Sequence, residues 1–185
     1  MKENMGVYYR LDSSGVETNL QLYSLKQAAQ YWNALVTEID ASGEESIPDL
    51  TERIVFILSC LGLSLSQLLG QNWPLPDEER NDTPAELLGL ILKCSHLDRT
   101  EIKRLNKGFA DLLDSYGAIR HFGENKGSAN YQAVDDLSVG RLRGFVKLTL
   151  DIWDTVIQIQ SGNDVNDLEE WTSVRAKVHF VGFEP

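Results

Sequence analysis

The sequence predicts a mainly α-helical fold, a bundle of about five helices with a small antiparallel sheet formed by an N-terminal hairpin and a C-terminal strand. Two observations predict the helices: long segments repeat apolar residues every three or four positions, and several begin with capping residues. A third observation predicts the sheet, because apolar and polar residues alternate near both ends of the chain. At 185 residues, we expect a single domain, 1–185, around one core.

The sheet is predicted from both ends of the chain. Over residues 6–22, Val7, Tyr9 and Leu11 share one face, "DSSG" supplies turn residues, and "VETNLQL" resumes the alternation. Within the expected strand 172–183, residues 174–180 alternate apolar side chains with Arg, Lys and His in the same way. We therefore expect a hairpin and a terminal strand that pair and cover an exposed sheet edge.

The helical core is predicted over residues 24–161. Ser24 is expected to cap the first helix, because Gln27 follows at the spacing of a capping box. The second helix, from about Leu50 to Leu69, is apolar nearly all round, so we expect it at the centre of the packing.

Three further helices complete the core. One begins at Pro84, since proline suits the first helical position. The next runs from about Arg99 to Phe122, and Gly123 fits the left-handed position that ends a helix. The last begins near Ser138 and carries an inward apolar stripe.

The charge is unevenly distributed along the chain, whose net charge is −11. Residues 38–86 contain 11 acidic and 2 basic side chains, whereas residues 93–147 contain 7 acidic and 10 basic ones. This balance disfavours broad nucleic-acid binding, which depends on neutralising many phosphates. It favours a protein partner with a basic surface.

Several classes of protein are disfavoured. No secretory signal is visible, and the most apolar segment falls short of the roughly 20 residues that span a bilayer. The chain also lacks a Gly-rich phosphate loop, and its Cys, His and Asp residues lack the paired spacing of a zinc site. We expect a cytoplasmic protein without membrane, cofactor or metal, whose two cysteines are reduced core residues.

The acidic region supplies the candidate partner-binding residues. Trp73 stands in a polar, proline-containing loop, where it either anchors a partner or packs over the end of the bundle. The acidic candidates are the clustered carboxylates Glu44, Glu45, Asp77, Glu78 and Glu79.

Arg120 is the candidate for chemistry. At the helical period, Arg120 lies within about 40° of the centre of the apolar stripe when viewed down the helix axis. His121 is rotated about 100° from Arg120 around the same axis. A buried Arg needs a carboxylate, a carbonyl or a phosphate. The alternative is that Arg120 reaches solvent and complements the negative end of the helix dipole.

The long helix ending in "YGAIRHFG", followed by a loop and another amphipathic helix, resembles the HEPN superfamily of small prokaryotic helical bundles. The resemblance covers the C-terminal half of the chain. Members are often metal-independent ribonucleases of toxin–antitoxin, abortive-infection and CRISPR-linked defence systems, with an active site built across a homodimer. The resemblance implies a catalytic role for Arg120. His121 matches the polar residue that often follows the Arg in this family. The family's motif is an Arg and a His separated by four to six residues, which would place the His at 125, 126 or 127, where this chain has Asn125, Lys126 and Gly127.

Two functions follow. The first is a non-catalytic acidic interaction module, a subunit of a bacterial toxin–antitoxin or phage-defence system. The second is a divergent HEPN-like ribonuclease in which Arg120 stabilises the developing phosphorane charge and His121 moves a proton across a dimer. RNA is a ligand only under the second. The incomplete motif favours the first.

Overall fold

The structure, a computed structural model, describes residues 20–72, 84–120 and 137–161, together with 169, 172–173, 175–176 and 178–183. Five α-helices lie in these residues: α1 (Leu20–Ser42), α2 (Leu50–Asn72), α3 (Pro84–Leu92), α4 (Arg99–Arg120) and α5 (Val139–Ser161). A 3₁₀ turn, Glu44–Ser46, lies between α1 and α2. The predicted helical bundle is confirmed.

The predicted sheet is wrong. The described residues contain no strand, only an isolated bridge between Phe180 and Phe183. Helix α1 begins at Leu20 and so occupies the end of the segment 6–22, whose remaining residues lie outside the described part. Near the other end, residues 172–173 and 175–176 are helical.

The early start of α1 also overturns the predicted cap. Ser24 lies inside the helix and is buried rather than at its N-terminus. Residues 20–23 contain neither Pro nor Gly, and each residue added to a formed helix gains a backbone hydrogen bond. The helix therefore extends past a residue that could have capped it.

The alternation near the C-terminus comes from docking on the bundle. Val178 and Phe180 are fully buried in the core, whereas His179 and Val181 are exposed. An extended segment lying on a helical surface also turns alternate side chains inward. The period of two therefore placed Val178 and Phe180 inward correctly, but it was wrong for Arg175, which is buried, for Ala176, which is exposed, and for the backbone partner.

Two side chains of α1 replace that partner strand. The Asn33 amide donates from Nδ2 to the His179 carbonyl at 2.7 Å and accepts at Oδ1 from the Val181 amide at 2.6 Å. Trp32 donates from Nε1 to the Val181 carbonyl at 3.0 Å. Asn33 thus offers one donor and one acceptor, as a neighbouring strand would.

Helix α2 lies at the centre of the packing, as predicted. It contacts all four other helices. Its inward residues are almost completely buried: Ile54, Ile57, Leu58, Leu61, Leu65, Leu68 and Leu69. Contrary to the expectation that the most apolar segment is too short, the stretch Leu50–Leu69 of α2 is, among the described residues, long and apolar enough to cross a membrane. Half of it is buried in the bundle, which is compatible with a soluble protein.

Local signals placed three helix starts correctly. Helix α3 begins at Pro84. The Asp98 carboxylate accepts a hydrogen bond from the Glu101 amide at 2.8 Å at the start of α4, and the Ser138 hydroxyl accepts one from the Arg141 amide at 3.1 Å at the start of α5. These are the side chains that satisfy first-turn amides.

The cysteines only partly follow the prediction. Both are free, but Cys94 is exposed and Cys60 is half-buried, so neither is a fully enclosed core residue. Burial raises the pKa of the Cys60 thiol. Its neutral form is therefore favoured.

Candidate functional site

The turn between α1 and α2 gathers carboxylates at one end of the bundle. Gly43, with φ of 81°, ends α1, and the short 3₁₀ turn and Asp49, with φ of 52°, lead into α2. The exposed carboxylates around this turn, here called the acidic end, are Asp40, Glu44, Glu45, Asp49 and Glu52.

The only basic residue between positions 38 and 72, Arg53, does not neutralise the acidic end. Its guanidinium is bonded to both oxygens of Glu38, at 2.6 and 2.9 Å. This hydrogen bonding holds the pKa of Glu38 below its ordinary value. Within the described part of the chain, no residue of the acidic end forms an ion pair.

An exposed apolar surface runs along the same two helices. The Tyr31 ring of α1 meets the Phe56 ring of α2 with centroids 4.5 Å apart, yet each side chain is 43% exposed. Leu63 and Tyr23 are also exposed. We call these four residues the apolar strip.

Helical geometry places the four residues of the apolar strip on one side of the α1–α2 pair. The pairs Glu38–Arg53 and Tyr31–Phe56 show that α1 and α2 run antiparallel. Residues seven or eight apart return to the same helix face, so Leu63 follows Phe56 on α2 and Tyr23 precedes Tyr31 on α1. In the antiparallel register, both extensions run away from the acidic end.

The strip and the acidic end adjoin. Glu52 lies one turn before Phe56 on α2, on the same helix face. Glu38 lies two turns after Tyr31 on α1 and carries Arg53. One surface of the α1–α2 pair therefore passes from aromatic side chains to carboxylates.

Sequence reasoning identified only part of this surface. Glu44 and Glu45, which the sequence predicts to bind a partner, lie in the acidic end, and that role stays a prediction. The other predicted partner-binding residues lie outside the described part: Trp73, Asp77, Glu78 and Glu79. Sequence reasoning missed Tyr31 and Phe56. A signal for Phe56 was available, because α2 is apolar nearly all round and therefore has more apolar side chains than one core can cover.

The residues predicted for catalysis are not brought together by any described contact. Helix α4 ends at Arg120, whose side chain, like the whole of His121, lies outside the described residues. Where the C-terminal turns of α4 meet α5, Arg141 donates to the Ser115 hydroxyl at 3.2 Å and lies 5.5 Å from the centroid of the Phe145 ring. The ribonuclease hypothesis stays a prediction.

Part of the basic stretch 93–147 is already paired. Arg104 bonds the carboxylates of both Glu101 and Asp151, and Lys147 also pairs with Asp151. The hydrogen bonds that Arg104 donates to both carboxylates raise the pKa of Arg104. These pairs reduce the positive charge that α4 and α5 offer to a phosphate backbone.

No group of three potential metal ligands is found among the described residues. Comparison with known proteins adds no assignment, since no family model, no curated protein and no solved structure matches the chain.

Proposed function

We propose that the protein is a non-catalytic interaction module whose acidic end binds a basic surface of a partner protein. The resemblance to HEPN bundles favours a bacterial toxin–antitoxin or phage-defence complex as its setting. The observation that carries the proposal is the unpaired state, among the described residues, of the five exposed carboxylates of the acidic end.

Electrostatics supports this role. Several carboxylates of one sign around one turn repel each other, which disfavours the isolated fold and favours a cationic partner. Arg53 cannot relieve the repulsion, because Glu38 already engages both of its terminal nitrogens. Charged residues at such a surface mainly raise the association rate and the specificity.

The test is co-purification from the native host with matched charge reversals. We expect a basic protein to elute with the wild type, and less of it with the double variant Glu44→Lys/Glu45→Lys. The control is Asp111→Lys/Asp114→Lys, which reverses two exposed carboxylates of α4 and should retain the partner. Raising the salt concentration should weaken the association.

Two results would contradict the proposal. One is a monomer by light scattering that carries no partner in native extract. The other is RNA cleavage by the purified protein that disappears in Arg120→Ala/His121→Ala, since this would support the ribonuclease function instead.

A further inference from the structure

We propose that the apolar strip and the acidic end together bind one amphipathic helix of the partner, with apolar anchors along the strip and Lys or Arg in its first turns. This inference rests on the proposed function, because it specifies the element of the basic partner that docks. It adds a requirement that charge alone does not impose, namely apolar residues at helical spacing.

The exposure of the strip is the first step. Single exposed apolar residues are ordinary, but contiguous ones mark interaction surfaces. Tyr31 and Phe56 pack against each other and leave more than two fifths of each side chain open, and Leu63 is 40% exposed. Aromatic side chains are the usual anchors of protein interfaces.

The shape of the surface is the second step. Two antiparallel helices that contact along their length leave a shallow groove between their outer faces, and the Tyr31 and Phe56 rings meet across it. A third helix laid along such a groove presents residues at i, i+3, i+4 and i+7. The strip covers two turns of α2 and about two turns of α1, which suits anchors repeated at that spacing.

Charge complementarity is the third step, and it selects the occupant. Among the described residues of α1 and α2, carboxylates adjoin only the Tyr31–Phe56 end of the strip. The positive N-terminal end of a helix and basic residues in its first turns both attract Glu52 and Asp49 when that end lies over these carboxylates. A parallel pairing with a second copy of this chain is disfavoured, since it would oppose the two acidic ends.

The experiment uses the full chain and a synthetic peptide of about five helical turns with a fluorescent label. The peptide has Leu and Trp at i, i+3, i+4 and i+7, and Lys and Arg in its first two turns. One control peptide scrambles this order at constant composition, and another replaces the basic residues by Glu. Fluorescence anisotropy measures the affinities at several salt concentrations.

We expect the amphipathic peptide to bind at least about tenfold more tightly than either control peptide. Phe56→Ser and Leu63→Ser should each weaken binding by about tenfold, because they remove anchors from positions that are already exposed. The matched control is Leu90→Ser, which removes an equally exposed apolar side chain from α3 and should leave the affinity unchanged. Glu52→Lys should weaken binding and flatten its salt dependence, unlike Asp114→Lys.

The outcomes separate this inference from the proposed function. Equal binding of the amphipathic and scrambled peptides, or wild-type affinity in both Ser variants, would overturn the helix-docking inference and leave a purely electrostatic module. If neither the amphipathic nor the scrambled basic peptide binds, both the helix-docking inference and the proposed function are overturned.

A photo-cross-linker at position 56 identifies the occupant directly. We expect it to attach to a helical segment of another protein with the stated pattern. Cross-linking to a second copy, or to residues 1–19 of the same chain, would overturn the inference.

Discussion

At the scale of single residues, the structure depends on side chains that supply backbone-like hydrogen bonds. Asn33 is the clearest case, because its amide pairs with two backbone groups of a segment nearly 150 positions away in the chain. Nothing in the sequence around Asn33 indicates this contact. By contrast, the caps at Asp98 and Ser138 were predictable, since each bonds an amide three residues away.

Asn33→Leu should lower the free energy of unfolding by about 1–2 kcal/mol, because two hydrogen bonds are lost at a site where water can partly replace them. Asn33→Asp keeps the acceptor for the Val181 amide but loses the donor to the His179 carbonyl. Its free energy of unfolding should therefore lie between those of Asn33→Leu and the wild type. Urea unfolding followed by tryptophan fluorescence gives the values. The control is Gln30→Leu on an exposed position of α1. Equal stability of all variants would show that Asn33 does not hold residues 178–183, here called the C-terminal segment, against α1.

The Glu38–Arg53 pair predicts a pH dependence. The Arg53 hydrogen bonds lower the folded-state pKa of Glu38 from its ordinary value of 4.5, so the pair stabilises the fold above that value. The contribution is lost as the pH falls from 4.5 through the lower folded-state pKa. Carboxyl NMR titration should show Glu38 rising toward 4.5 in Arg53→Gln; an unchanged Glu38 titration would contradict the pairing.

At the scale of elements, glycine sets the distance between α2 and α4. A Cβ on Gly62 would lie 2.8 Å from Cγ and 3.2 Å from Cβ of Tyr116. These atoms are near the backbone of α4, so the ring cannot simply turn aside. Gly144 of α5 also lies inside a helix, but a Cβ there meets nothing within 4 Å.

The two glycines should therefore respond in opposite directions. Gly62→Ala should destabilise the protein by about 1–3 kcal/mol, because the helices must separate. Gly144→Ala should stabilise it by about 0.5–1 kcal/mol, because alanine favours the helix and loses less entropy on folding. Thermal unfolding by circular dichroism measures both, and stabilisation by Gly62→Ala would contradict the close approach.

Element positions were largely predictable, and their exact extents less so. Periodic apolar stripes predicted all five described helices, and Pro84 and Arg99 began theirs as expected. Helix α1 begins at Leu20, five residues before the start at Leu25 that a Ser24 cap implies, because a capping sequence is only one of several helix starts available to the chain. Tertiary packing selects among them.

At the scale of the whole molecule, the C-terminal segment closes the fold onto α1. Phe180 is fully buried, and the backbone around it bonds Trp32 and Asn33. The Arg175 guanidinium adds a hydrogen bond to Asp154 of α5 at 3.1 Å. Contacts of Arg175 with α5 and of the C-terminal segment with α1 therefore form only when the whole chain has folded.

Phe180→Ala should lower the free energy of unfolding by about 3–5 kcal/mol, because it leaves a cavity in the core. Val181→Ala is the matched control: its side chain is exposed and its backbone bonds to α1 remain, so the change should stay within about 0.5 kcal/mol. Denaturant unfolding and limited proteolysis report both. Similar stability of the two variants would show that the segment is not part of the cooperative fold.

The acidic end and the apolar strip also belong to the whole molecule. Acid-rich composition over residues 38–86 was visible in the sequence, and Glu44 and Glu45 were named from it. Two other contacts are seen only in the antiparallel pairing of α1 and α2: Arg53 pairs with Glu38, and Tyr31 meets Phe56 on an open face.

The sequence by itself determined the helices, the caps at Asp98 and Ser138, and the distribution of charge. These features depend on residues within one or two turns of each other, whose separation the helical period already sets. The tertiary structure alone decided that the C-terminal segment pairs with Asn33 instead of a strand, and which apolar residues of α1 and α2 stay exposed. Both outcomes depend on competition among partners distant in the chain, which local patterns do not encode.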